Sequence, residues 1–139
     1  MTAKEYIAHY NLLPHPEGGY FREMYRSHES IQFPGFDGPR NYCTSIYFLL
    51  EKDQISALHR IKSDEIWFFH DGGTLIITEM DEQGQTIETK LGKNGTKNER
   101  LQHVVRAGRW FGAHVLDGEF VLVGCSVSPG FDFKDFELK

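Results

Sequence analysis

Turn-forming residues recur along this chain at intervals of roughly ten residues, and no other feature narrows its fold as far. From Gly18 onward, short runs rich in β-branched and aromatic residues alternate with clusters of Gly, Asp, Asn and Pro. The runs cover 20–27, 43–50, 55–61, 65–71, 74–81, 85–91, 101–107, 110–116 and 119–128. Between them fall PGFDGP at 34–39, KSD at 62–64, DGG at 71–73, DEQGQ at 81–85, GKNGTKN at 92–98, AGR at 107–109 and DGE at 117–119. This rhythm predicts about nine strands in an antiparallel sandwich or barrel. An aromatic content of 14% fits such strands. Residues 2–12 read as the one short helix, with Thr2 and Glu5 spaced as a capping box and Pro14 and Pro16 forbidding its continuation.

At 139 residues the chain suits a single domain, 1–139, around one core. Its formal net charge is −5 and it carries no basic tract, so binding to nucleic-acid phosphates is not expected. No apolar run approaches the ~20 residues of a membrane span, and MTAKEYIAHY lacks a signal-peptide core. A cytoplasmic protein without membrane contact is therefore expected. Cys43 and Cys125 stand apart in predicted strands and read as reduced thiols.

Alternation assigns faces within the runs. Ala57, His59 and Ile61 share one face of 55–61, with Ser56, Leu58 and Arg60 on the other. Ser56 is thereby set away from His59, which argues against a serine nucleophile. Glu65, Trp67 and Phe69 share a face of 65–71. The turn at 62–64 folds the two runs into a hairpin, bringing His59 and Glu65 together among apolar neighbours, a setting that shifts pKa values.

The spacing around this pair resembles the first motif of the cupins, G-x5-H-x-H-x(3,4)-E-x6-G. His59, Glu65 and Gly72 fall in register, while Asp53 stands at the opening glycine and Ile61 at the second histidine. In the second motif Gly108 matches the glycine and Phe111 replaces the histidine. Two of the four usual metal ligands are thus Ile61 and Phe111. Within the cupins, the chain is similar nearly end to end to the DUF985 (Cupin_5) family. The shared stretches are HPEGGYFRE at 15–23, TSIYFLL at 44–50, SALHRIKSDEIWFFHDG at 56–72, QHVVRAGRWFGA at 102–113 and GCSVSPGFDFKDFEL at 124–138. The resemblance implies an all-β double-stranded β-helix, or jelly roll, with one short N-terminal helix, commonly as a homodimer. It also implies an architecture like the metal-free sugar-epimerase branch of the cupins, but supplies no reaction.

Three readings of the site follow. As metal ligands, His59 and Glu65 need a third partner, sought in His114, His70 or His103. As an acid–base pair, His59 is the base and Glu65 orients it, with Tyr47 or Tyr20 as a phenolic acid. As a binding site only, the pair holds the hairpin and the cavity takes a ligand without chemistry. The reading preferred on the sequence is metal-free and without cofactor: a pocket for a small polar metabolite, either sensing it or isomerising a carbonyl or carbohydrate-like compound. His59 and Glu65 are its catalytic candidates. Trp67, Gln102, Phe111, Tyr47, Arg22 and Glu17 are its candidate substrate contacts, with Arg22 and Arg26 on one strand face as a possible anion clamp.

Overall fold

The Thr2 hydroxyl accepts from the Glu5 N–H while the Glu5 carboxylate accepts from the Thr2 N–H. This capping box starts helix α1 (Ala3–His9) in a computed structural model that describes residues 1–139. The helix is shorter than the predicted 2–12. Asn11 turns left-handed, φ 54°, and breaks it before Pro14 is reached. Tyr6, Ile7, Tyr10 and Leu12 pack on Leu49 and Leu122, outside the barrel.

The strands are β1 (Leu13–Pro14), β2 (Tyr20–Arg26), β3 (Ser30–Ile31), β4 (Arg40–Asn41), β5 (Thr44–Glu51), β6 (Ile55–Arg60), β7 (Asp64–Met80), β8 (Thr86–Leu91), β9 (Gln102–Val105), β10 (Phe111–Ser128) and β11 (Glu137–Leu138). β3 and β4 pair only with each other. The others form one curled antiparallel sheet of nine strands. Its path runs β1-β2-β5-β10-β6-β11, and β7 joins it through β10 while also pairing β8 and β9. This is the jelly roll with one short N-terminal helix.

β6 and β7 do not pair, so the hairpin expected at 62–64 is absent; the two-residue strands β1, β3, β4 and β11 were not expected, and two expected breaks between strands are missing. Runs 65–71 and 74–81 are one strand, β7, and runs 110–116 and 119–128 are one strand, β10. The DGG and DGE signals mark bends in paired strands, not hairpin turns. β10 lies beside β6 in its first half and β5 in its second, and pairs β7 along most of its length, with register shifts at the bend. There the backbones touch. A Cβ on Gly72 would lie 2.2 Å from the Phe120 carbonyl oxygen, and one on Gly73 2.0 Å from that of Asp117. The glycines serve this close crossing.

Phe48, Trp67, Ile77 and Phe111 belong to the main apolar core inside the roll. After β10 the chain folds back across the barrel. Arg40 and Asp135, both buried, fasten this tail through two hydrogen bonds of 2.9 Å, Nε to Oδ2 and Nη2 to Oδ1. β11 then adds to β6. Outside, the Trp110 ring holds two cations, Arg60 at 4.6 Å and the Lys139 ammonium at 4.9 Å from its centroid. Both cysteines are free.

Candidate functional site

A cavity of about 320 Å³ enters the roll, with Phe21, Phe48, Trp67, Phe131, Phe133 and Phe136 among its walls. Its polar floor comes from three places in the chain. The first is the 15–19 turn. The Ala57 N–H donates to the Glu17 carbonyl at 2.9 Å, docking the turn on β6. The approach is close: Gly18 has φ 112°, and a Cβ there would lie 2.0 Å from the Ile55 carbonyl oxygen. Gly-Gly is needed at this corner, and with it Glu17 is set into the interior.

The second place is β6. Phe111 pairs His59 and Ala113 pairs Ser56, so β6 holds one residue more than β10 between those points. This bulge breaks the predicted alternation, and Ser56 and His59 are both buried. The parity argument that separated them fails here. Ser56 does not line the cavity, however, and its hydroxyl makes no hydrogen bond. The third place is β7, whose Glu65 and Trp67 both reach the cavity.

His59 has both ring nitrogens engaged. Nδ1 lies 2.7 Å from the Ala57 carbonyl oxygen, which only accepts, so Nδ1 carries a proton. Nε2 lies 2.7 Å from Glu17 Oε2. One proton must bridge that gap. Burial opposes charge on His59, but the Glu17 hydrogen bond and negative charge outweigh it and raise the imidazole pKa. Glu17 Oε1 makes no hydrogen bond and sits 3.9 Å from His15 Nδ1, which accepts the Glu17 N–H. His15 is held below its usual pKa, by burial against the pull of Glu17.

Glu65 is not the partner of His59, contrary to the sequence expectation. The carboxylate from the 15–19 turn already occupies Nε2, and nothing forms an ion pair with Glu65. Burial, then the Glu17 charge, push the Glu65 carboxyl up to about 8, with His59 countering in part. Near neutrality it is an uncharged acid. The Trp67 indole and Cys125 thiol lie beside it and ease that rise slightly, yet the Trp67 N–H meets no acceptor in hydrogen-bond geometry. Burial and Glu65 keep the Cys125 thiol protonated.

Of the proposed substrate contacts, Trp67 and Glu17 line the cavity, whereas four others do not. Phe111 lies behind His59, ring centroids 4.1 Å apart, as core. Tyr47 projects from the outer face of β5, against His70 and Tyr10, the residue that caps the helix C-terminus. Gln102 is exposed on β9. Arg22 is exposed opposite Tyr47, and a bulge at Met24 separates it from Arg26. That bulge places Glu23 and Arg26 opposite Ile46 and Thr44, on the cavity side. There is no arginine pair: Arg26 binds Glu23, Asn41 and the Phe131 carbonyl instead. Tyr20, the other phenol considered, packs with the outer cluster. The sequence reading missed His15, Phe21 and the tail phenylalanines. The run GFDFKDF at 130–136 was a signal for the last, since a tail so rich in aromatics must cover something.

The residues present do not fit the cupin metal. Ile61 and Phe111 stand at two ligand positions, and Glu17 occupies His59 Nε2. Three or more donors do not converge anywhere in the chain. His70, His103 and His114 all lie away from the cavity. His103 instead meets the buried Glu79, Nε2 to Oε2 at 2.5 Å, and Arg109 reaches the other oxygen of that carboxylate at 3.3 Å.

Comparison with known proteins agrees with this architecture. The family model described as "Cupin superfamily (DUF985)", Cupin_5, matches residues 4–139. An uncharacterized protein of Saccharomyces cerevisiae is 31% identical over 149 residues, spanning 96% of this chain and 73% of that protein. A hypothetical protein from Leishmania major superposes with a TM-score of 0.93 at 35% identity, covering all of this chain and 88% of that one. A crystal structure from Shewanella oneidensis gives 0.91 at 40%, covering all of this chain and 85% of that one. Oxalate decarboxylase from Bacillus subtilis gives 0.67 at 21%, over 90% of this chain and 29% of that one, a likeness of fold.

Proposed function

The chain belongs to the Cupin_5 (DUF985) family of the cupin superfamily, and from that footing we propose that its cavity binds a small carbonyl or carbohydrate-like metabolite and moves a proton on it. The reaction class is metal-independent isomerisation or epimerisation. The observation that carries this reading is the buried Glu17–His59 pair, which shares one proton at 2.7 Å and faces a cavity. Both His59 nitrogens are engaged, so the oxygen free to take a proton is Glu17 Oε1. His59 positions Glu17 through the 2.7 Å contact to Oε2. The roles first given to His59 and Glu65 therefore pass to Glu17 and His59.

One observation favours a binding-only pocket: His59 is already satisfied within the protein, as a purely structural histidine would be. The two readings separate in deuterium oxide. A panel of small ketones, aldehydes and reducing sugars is incubated with the protein and followed by proton NMR. Proton transfer predicts loss of signal at the carbon next to the carbonyl, slowed at least 100-fold in Glu17→Gln. Saturable binding without exchange would establish the binding-only pocket.

We also propose a homodimer. Residues 22–26 of β2 pair only with β5, leaving an open strand edge that bears the exposed Met24 and Tyr25.

A further inference from the structure

We infer that the metabolite received by the cavity carries a protonated amine, and that the Glu65 carboxylate seats it. The inference rests on the cavity reading above and adds the ligand's charge. Four carboxyl groups reach the cavity, those of Glu17, Glu23, Glu65 and Asp132, against a single arginine, Arg26. Glu23, Asn41 and the Phe131 carbonyl already occupy Arg26. His59 meets only one oxygen of Glu17. No cation of the chain pairs with Glu65 or Asp132. Glu65 is 9% exposed and the Glu17 side chain 8%. Yet neither oxygen of Glu65 accepts a hydrogen bond, and nor does Glu17 Oε1. Two polar side-chain atoms of the chain are both sealed and unpartnered, Ser56 Oγ and Trp67 Nε1. The Glu65 oxygens and Glu17 Oε1 are not among them, so the area they keep opens on the cavity. A buried acceptor without a donor is costly. An ammonium group brings both N–H donors and the missing positive charge.

The lining also says what the ligand is not. With Arg26 occupied, no free cation receives a phosphate or a carboxylate. A bare metal ion does not fit either, since three donors do not converge. A cavity of about 320 Å³ walled by Phe21, Phe131, Phe133 and Phe136 takes an organic molecule. Ring faces receive an apolar body and also attract a cation. Without a cation beside it, Glu65 keeps its proton, because burial and Glu17 oppose another negative charge. An ammonium group removes that opposition. The carboxyl proton then passes to solvent as the ammonium arrives, one positive charge for another. The same group serves the proposed chemistry. Placed on the carbon next to a carbonyl, it draws electron density from the C–H bond that Glu17 Oε1 is free to deprotonate. Amino ketones, amino aldehydes and amino sugars have this arrangement.

The test uses phenethylammonium and phenethyl alcohol, molecules of matched size that differ in the charged group Glu65 would hold. Calorimetric titration of the wild-type protein near neutral pH is expected to favour the ammonium about ten-fold. Glu65→Gln, of the same shape but unable to ionise, brings that ratio close to one, and Glu65→Leu does the same with an apolar side chain. Circular dichroism checks that each variant is folded. A ratio is used because altered packing changes both probes alike, whereas a lost carboxylate weakens only the ammonium. The inference is overturned if the wild type binds neither probe, binds both equally or prefers the alcohol, or if the preference survives in either folded variant. The proton-transfer reading fails separately. An ammonium preference with no exchange in deuterium oxide leaves the amine site standing and removes the chemistry. Exchange that depends on Glu17 without any ammonium preference removes the amine site alone.

Discussion

Glu65 is a carboxyl group whose surroundings reverse its usual charge. An unfolded chain would ionise it near 4.5, whereas the folded protein holds its proton up to about 8. Between those values the folded state binds one proton more, so Glu65 makes stability fall as pH rises through that window. Glu65→Gln removes this dependence. The variant should match the wild type below about pH 4.5, gain on it up to about pH 8, and level off there, by on the order of a few kcal/mol. Urea unfolding across a pH series measures this, and a gain independent of pH would mean that Glu65 is not buried as a neutral acid. A slope remains in the variant because His59, also raised, has its stabilising contribution complete below its unfolded pKa and loses it as pH climbs through the folded value.

At the scale of elements, two bulges decide the site. Strict alternation set Ser56 against His59 and grouped Arg22 with Arg26; one extra residue in β6 and one in β2 undo both assignments. The strand-and-turn rhythm, the helix cap and the inward placement of His59, Glu65 and Trp67 were legible because they depend on neighbours in sequence. The Glu17–His59 pair spans 42 positions (59 − 17) and depends on how the 15–19 turn docks on β6, which periodicity does not carry. The tail over the cavity is another such element, and its fastening is testable. Asp135→Ala leaves Arg40 buried without its partner. The expected cost is about 3–5 kcal/mol, read as a lower midpoint in urea, with faster amide exchange across residues 130–138. If exchange rises no more there than in β7, the ion pair is not what fastens the tail.

Taken whole, the molecule leaves several strand edges open, with β8 and β9 pairing only β7 and β11 only β6, and residues 22–26 of β2 are the open edge that carries the exposed Met24 and Tyr25. Association through β2 should appear in sedimentation velocity as a species of twice the chain mass of 16.0 kDa. A Met24→Pro change should shift it toward the single-chain mass, because proline removes a backbone donor and crowds a strand edge. A wild-type protein sedimenting as one chain at micromolar concentration would rule the dimer out.

The two tryptophans occupy opposite optical environments. Trp67 is sealed beside the cavity, while Trp110 lies partly exposed between Arg60 and Lys139. Their emission should therefore divide into a blue component shielded from dissolved iodide and a redder one that iodide quenches. Whatever enters the cavity should alter the first and leave the second unchanged, so the protein carries its own reporter of occupancy together with an internal reference.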